Sequence, residues 1–122
     1  MPLNVMLVDD SATVRLQARR ALAGAGFRVI EACDGLEALE KLGTSSDIVL
    51  VVCDVNMPRM NGIEFIEALS RQGGPKPAVI MLTTERHPEL IQRAKAHGAK
   101  DWIAKPFNAE LLVAAVKKVT GG

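Results

Sequence analysis

Asp54 closes an apolar run, Ile48-Val-Leu-Val-Val-Cys53, and turn-forming residues follow at once: Asn56, Pro58, Asn61 and Gly62. A buried strand that carries one carboxylate to its own end and then releases into a loop presents a reactive group. Asp54 is therefore read as a nucleophile that accepts a phosphoryl group. Other polar residues hold comparable places. Asp9-Asp10, Thr83-Thr84 and Lys105-Pro106 each end a further short apolar segment. If those segments lie side by side, three carboxylates, a hydroxyl and an ammonium meet in one crevice. Like charges at ~4 Å repel by about 4 kcal/mol at an effective dielectric near 20, which would push a carboxyl pKa up. A hard divalent cation removes that repulsion. Mg²⁺ prefers oxygen ligands and shares carboxylates with phosphate, so a Mg²⁺ site is expected. The cation would also neutralise a transferring phosphoryl group. Lys105 adds a second positive charge and Thr83 a hydroxyl donor.

Strand-like and helix-like segments alternate along the whole chain, and internal repeats are absent. Strands are expected at Asn4 to Val8, Arg28 to Ala32, Ile48 to Cys53, Pro77 to Leu82 and Asp101 to Lys105. From residue 12 to 25, Val14, Ala18, Ala21, Leu22 and Ala25 fall on one helical face. Asp10 or Ser11 can cap that helix and Gly26 can end it. Asp34-Gly-Leu-Glu37 has capping-box spacing and opens a helix that turns Ala38, Leu39 and Leu42 inward. Asn61 caps a third helix, burying Phe65, Ile66 and Leu69 and stopping at Gly73-Gly74. Pro88 suits the first turn of a fourth, which buries Leu90, Ile91 and Ala94 and ends near Gly98. Asn108 caps a fifth, with Leu111, Leu112, Ala115, Val116 and Val119 on its apolar side.

Five successive β–α units with right-handed crossovers imply an α/β fold: a five-stranded parallel sheet with helices on both faces. The Ile48–Cys53 run is continuously apolar, which fits a central strand. Arg28-Val-Ile-Glu31 alternates, which fits an edge. The flavodoxin-like order 2-1-3-4-5 satisfies both and places the ligand crevice beyond the carboxyl ends of strands 1 and 3.

Length and composition narrow the function classes. With 122 residues, one domain is expected over 1–122. Lys plus Arg total 15 and Asp plus Glu 14, which gives no support for nucleic acid or an anionic membrane as a partner. No apolar run approaches the ~20 residues of a membrane span, and no signal peptide is visible, so a cytoplasmic location is expected. Cys33 and Cys53 lack metal-ligand spacing and are read as free, buried thiols. Arg15, Arg19 and Arg20 are read as a solvated helix face, His87 and His97 as helix-start and helix-end residues, and the methionines as core filler.

The set Asp9-Asp10, Asp54 with Met57-Pro58 and Gly62 after it, Thr83, and Lys105-Pro106-Phe107 resembles the receiver domain of two-component response regulators. The resemblance extends over essentially all of the chain and is greatest to the stand-alone CheY-like chemotaxis type. It implies that Asp54 takes its phosphoryl group from a histidine kinase of CheA-like kind. Asp10, Asp54 and the main-chain carbonyl of Asn56 would ligate Mg²⁺, with Asp9 assisting through water. Lys105 would contact the phosphoryl oxygens, Thr83 would move to hydrogen-bond them, and the Lys105-Pro106 peptide would be cis. Readout would pass through helix 4, strand 5 and helix 5 to a flagellar motor switch protein or another output protein. A monomer is expected, with self-phosphotransfer and autodephosphorylation as its only chemistry.

Two positions depart from the commoner pattern of that family. The aromatic gauge three residues before Lys105 is Trp102, which either rotates inward beside Thr83 or stays out as an interface anchor. Thr84 is bulkier than the Ala or Gly frequent there. With Asn56 and Glu85 it is expected to flank the phosphoryl group and limit attack by water.

Competing readings are weaker. A haloacid-dehalogenase-type phosphatase needs a second Asp two residues after the nucleophile, where this chain has Asn56. A receiver detached from a larger transcriptional regulator finds no DNA-binding segment after Val119. A degenerate receiver that works without phosphate is at odds with the intact acidic set and Lys105.

Overall fold

The computed structural model describes residues 2–44, 47–72, 76–84 and 88–121. Five strands, β1 (Asn4–Val8), β2 (Arg28–Ala32), β3 (Ile48–Cys53), β4 (Ala78–Thr83) and β5 (Ala99–Ala104), alternate with five helices. The helices are α1 (Ala12–Gly24), α2 (Gly35–Thr44), α3 (Gly62–Arg71), α4 (Pro88–Ala96) and α5 (Ala109–Thr120). All strand pairs are parallel and the sheet order is β2-β1-β3-β4-β5, as the patterning predicts.

Alternation along the central strands divides the core into two layers. Met6, Val8, Val51, Cys53, Val79 and Met81 belong to one, with Ala38, Ile63, Phe65, Ile66, Leu69 and Ala94 from α2, α3 and α4. Val5, Leu7, Leu50, Val52, Ile80 and Leu82 belong to the other, with Ala18, Leu22, Leu112 and Val116 from α1 and α5. Layers on both faces explain why β1, β3 and β4 carry runs of apolar residues. Val49 escapes burial at 37% exposure, because the β1–β3 register slips there: Asn4 faces Ile48 but Val5 faces Leu50.

Side chains set the starts of the helices. Ser11 Oγ accepts from the Val14 amide, and Asn108 Oδ1 accepts from Glu110 and Leu111. Asn61 and Glu64 form a complete capping box. The predicted box at Asp34 is displaced by one residue. Asp34 Oδ1 accepts from the Glu37 amide at 2.9 Å, but the Glu37 carboxylate takes the N–H of Cys33 at 2.6 Å. Gly26, at φ 97°, lets the chain turn after α1.

Several expectations need correction. Leu111 is 66% exposed while Leu112 is fully buried; Val113, not expected on the apolar side, packs against the α1–α5 layer instead. Ile91 is half-buried, and Ala94 is the fully buried residue of α4. Cys53 is buried, but Cys33 is exposed, lying just past the end of edge strand β2. β4 and β5 begin and end one or two residues from the predicted limits. Arg15 does not lie on a solvated face: it pairs with Glu31 at 3.0 Å and donates to the Asp9 carbonyl. Arg19 reaches the same Glu31 at 3.1 Å. His97 closes α4 as expected, with Nδ1 3.0 Å from Ser70 Oγ. His87 and Gly73-Gly74 lie outside the described residues.

Candidate functional site

The sheet order sets β1 beside β3 and β4 beside β5, so the residues after their carboxyl ends become neighbours. The Asp54 amide donates to the Val8 carbonyl at 2.8 Å and the Lys105 amide to the Thr83 carbonyl at 2.9 Å. These bonds extend the ladder one step past the strands and fix where the side chains emerge. Asp9 and Asp54 are buried, at 3% and 5% exposure, while Asp10 lies exposed at the mouth.

One carboxylate oxygen from each of Asp9, Asp10 and Asp54 lies within 4.8 Å of the others. No other such convergence of three His, Cys, Asp or Glu occurs among the described residues. Lys105 Nζ sits 2.6 Å from Asp9 Oδ2 and 3.3 Å from Asp54 Oδ2, bridging the two buried acids. Asp9 Oδ1 accepts from the Ser11 amide at 2.9 Å, which ties it to the start of α1. Asp54 Oδ1 accepts from the Asn56 amide at 3.4 Å.

Burial raises the Asp54 carboxyl above the usual aspartate range, and the adjacent Asp9 charge raises it further. Lys105 and the Asn56 amide oppose this without cancelling it. At Lys105, burial favours loss of the proton, but the hydrogen bond to Asp9 and the charge of Asp54 outweigh it. The ammonium therefore holds its proton more tightly than a free lysine. One ammonium among three carboxylates leaves the cluster short of positive charge. A donor set made only of oxygens, this close together, fits a hard divalent cation.

The remaining predicted residues divide by position. Thr83 is buried at the end of β4; Thr84 and Asn56 are exposed. Glu85 lies outside the described residues. Trp102 pairs across the sheet with Met81 and packs, half-buried, against the α2–α3–α4 layer. By strand alternation it shares a face with Thr83, two residues after Met81. The Lys105-Pro106 peptide is cis.

The structure adds reasons that the residue order alone could not supply. A Cβ on Gly62 would stand 2.2 Å from the Asp54 carbonyl oxygen. Only glycine lets α3 start so close to Asp54, and the Gly62 amide also donates to the Val55 carbonyl at 2.9 Å. Its turn-forming type marked it in the sequence, but the contact that demands it lies eight residues away. Arg15 and Arg59 carried no such mark. Arg15 braces the main chain of Asp9, and Arg59 pairs with Asp34 at 2.6 Å.

This chain belongs to the response regulator receiver domain family, whose family model matches residues 5–117. A protein of Rhizobium etli named as a probable chemotaxis protein CheY is 38% identical over 120 residues, spanning 98% of this chain and 93% of its own. The response regulator MprA of Mycobacterium sp. strain KMS is 35% identical over 117 residues, which is 96% of this chain but 50% of MprA. Among solved structures, the chemotaxis response regulator CheY4 of Vibrio cholerae superposes with a TM-score of 0.89 at 40% identity, covering 98% of this chain and 99% of that one. The chain is thus a receiver domain of the two-component type with CheY-like relatives. Among its described residues no helix is long and apolar enough to cross a membrane.

Proposed function

We propose that the chain is one receiver domain over residues 1–122, acting in the cytoplasm as a phosphorylation-activated switch with Asp54 as phosphoacceptor. The observation that carries this reading is Lys105 Nζ set between Asp9 and Asp54, with Asp10 completing a triad of oxygens within 4.8 Å. Asp10, Asp54 and the Asn56 carbonyl would hold Mg²⁺, with Asp9 assisting through water. When bound, the cation supplies charge neutralisation for the phosphoryl oxygens.

The protein's own groups account for the rest. An Asp54 carboxylate oxygen attacks phosphorus, the bond from phosphorus to the donor atom breaks, and the leaving group departs with a proton. Lys105 offsets the negative charge that gathers on the phosphoryl oxygens. In a second step water attacks phosphorus, the bond from phosphorus to the Asp54 oxygen breaks, and the carboxylate is restored as inorganic phosphate leaves. Thr84 and Asn56, both exposed just past the strand ends, flank the water's approach, and the sequence assigns Glu85 the same role. The chemistry acts on the protein itself and needs no independent turnover substrate.

The donor in this reading is a CheA-like histidine kinase. A phosphoryl group replaces one carboxylate charge with roughly two, and Thr83 moves to hydrogen-bond it. Trp102, on the same sheet face, then reports to α4, β5 and α5, and that face binds an output protein in chemotaxis or motility control. The CheY-like relatives support this assignment. The greater length of MprA supports the second reading, in which the same domain serves a larger transcriptional regulator. Phosphatase action of the haloacid-dehalogenase type lacks its acid, since Asn56 stands where that residue is required.

Labelled phosphoryl transfer from a small phosphodonor tests the reading. Incorporation should require Mg²⁺, fail with a chelator, and vanish in Asp54→Asn. Undiminished label in that variant would refute Asp54 as acceptor.

A further inference from the structure

Arg59 lies five residues past Asp54 in the loop joining β3 to α3, and it is the one non-glycine residue described with positive φ, at 63°. A left-handed backbone disfavours any residue with a Cβ other than Asn or Asp, so something must hold Arg59 there. Its Nε donates to Asp34 Oδ2 at 2.6 Å. Asp34 is buried at 2% exposure and uses its other oxygen to cap α2 through the Glu37 amide. The next residue on each side continues the contact: the Gly35 amide donates to the Met60 carbonyl at 3.2 Å. A Cβ on Gly35 would lie 2.7 Å from Met60 Cγ and 3.0 Å from the Met60 carbonyl oxygen, so the two residues meet with little room between them.

The β3–α3 loop is therefore fastened at two points. One is Gly62, against Asp54 and Val55. The other is Arg59-Met60, against the start of α2. Asn56 lies between Asp54 and this second fastening.

We propose that Arg59 is a positioning residue for the cation site: by pairing with Asp34 it locks the β3–α3 loop to α2 and so fixes the Asn56 carbonyl for Mg²⁺. This rests on the reading of Asp9, Asp10, Asp54 and Asn56 as the Mg²⁺ site. Arg59 touches neither the cation nor the phosphoryl group. It acts by restricting a loop that would otherwise have to be ordered each time the ion binds. A group outside the ligand set that orients a ligand is commonly worth about tenfold or more in metal affinity.

The test uses the whole chain with Mg²⁺ alone as probe, followed by calorimetry or by Trp102 fluorescence. Arg59→Gly removes the ion pair while relieving the strained backbone. It should keep its melting temperature near that of the parent yet bind Mg²⁺ about tenfold more weakly. Asp34→Asn should weaken Mg²⁺ to a similar degree, and the double variant no further than either single one. Amide exchange on the metal-free protein gives a second readout. Gly35 should lose protection in Arg59→Gly while Gly62 keeps it. Unchanged Mg²⁺ affinity in Arg59→Gly, or additive losses in the double variant, would overturn the proposal and leave the metal site standing. Failure of the parent protein to bind Mg²⁺ would overturn the site assignment and the proposal together.

Discussion

At the scale of single residues, the site combines one strained acid and one overcommitted base. Asp54 is buried next to Asp9 and resists ionising, while Lys105 divides its charge between them. In our reading Asp54 is the phosphoryl acceptor, kept ready by Lys105 and by Mg²⁺. In the same reading Thr84 acts at a later step, the escape of the phosphoryl group to water. Thr84→Ala should shorten the lifetime of the phosphorylated protein severalfold without slowing its formation, as followed by loss of label after the donor is removed. An unchanged lifetime would remove Thr84 from that role. Most of these residues were legible because chemistry restricts which types can serve. Asp9, Asp10, Asp54, Thr83 and Lys105 stand where apolar runs stop. Arg15 was misread as solvated because its partners, Glu31 and the Asp9 carbonyl, come from strand β2 and from the residue just after β1. A charge on a helix looks the same in the sequence whether it meets water or a neighbouring strand.

At the scale of elements, two junctions govern where Asp54 sits. Gly62→Ala would force a Cβ against the Asp54 carbonyl at 2.2 Å, a backbone contact that cannot rotate away. Overpacking of this kind costs about 1–3 kcal/mol, and a clash with backbone falls at the upper end. The urea midpoint should fall accordingly, and phosphoryl acceptance should fall with it. A midpoint within experimental scatter of the parent would mean that α3 can shift freely.

Asp34 governs the other junction. The Arg59 hydrogen bond, then the Glu37 amide, hold its carboxyl below the usual aspartate range, against the effect of burial. A depressed folded-state value means stability that is present above the ordinary aspartate value of about 3.9. That stability is lost as pH falls through the lower folded value. Asp34→Asn should cost about 1–2 kcal/mol at neutral pH, and the gap should close below about pH 4. A gap that persists in acid would show that the charge is not what matters. Patterning located β1, β2 and β3 to the residue, because β1 and β3 are covered on both faces and β2 shows the alternation of an edge strand. It failed at Leu111, where an apolar residue on the expected face of α5 lies beyond the reach of α1 and the sheet.

At the scale of the whole molecule, ligand binding and folding are linked. An ion that binds only the folded chain stabilises it by about 2.7 kcal/mol at a hundred times its dissociation constant. Mg²⁺ should therefore raise the melting temperature of the parent protein, and Asp54→Asn should lose most of that rise. An equal rise in both would place the ion elsewhere. The switch itself asks for more. Moving a conformational balance from 1:99 to 99:1 takes about 5.5 kcal/mol of preference, so in the proposed switch bonds to Lys105 and Thr83 would be joined by repacking around Trp102 or by the partner. The sheet order was legible because right-handed crossovers and one central apolar strand leave few alternatives. Contacts such as Arg59–Asp34, 25 residues apart, were not, since neither residue type signals the other.

The central claim is that the phosphoryl group resides on the carboxylate of Asp54. Borohydride reduction of the phosphorylated protein, followed by peptide mass analysis, tests it most directly, because an acyl phosphate is reduced to an alcohol. The account predicts homoserine at position 54, present only when donor and Mg²⁺ were both supplied. Aspartate left intact at 54, with reduction products at Asp9, Asp10 or any other acid, would contradict it.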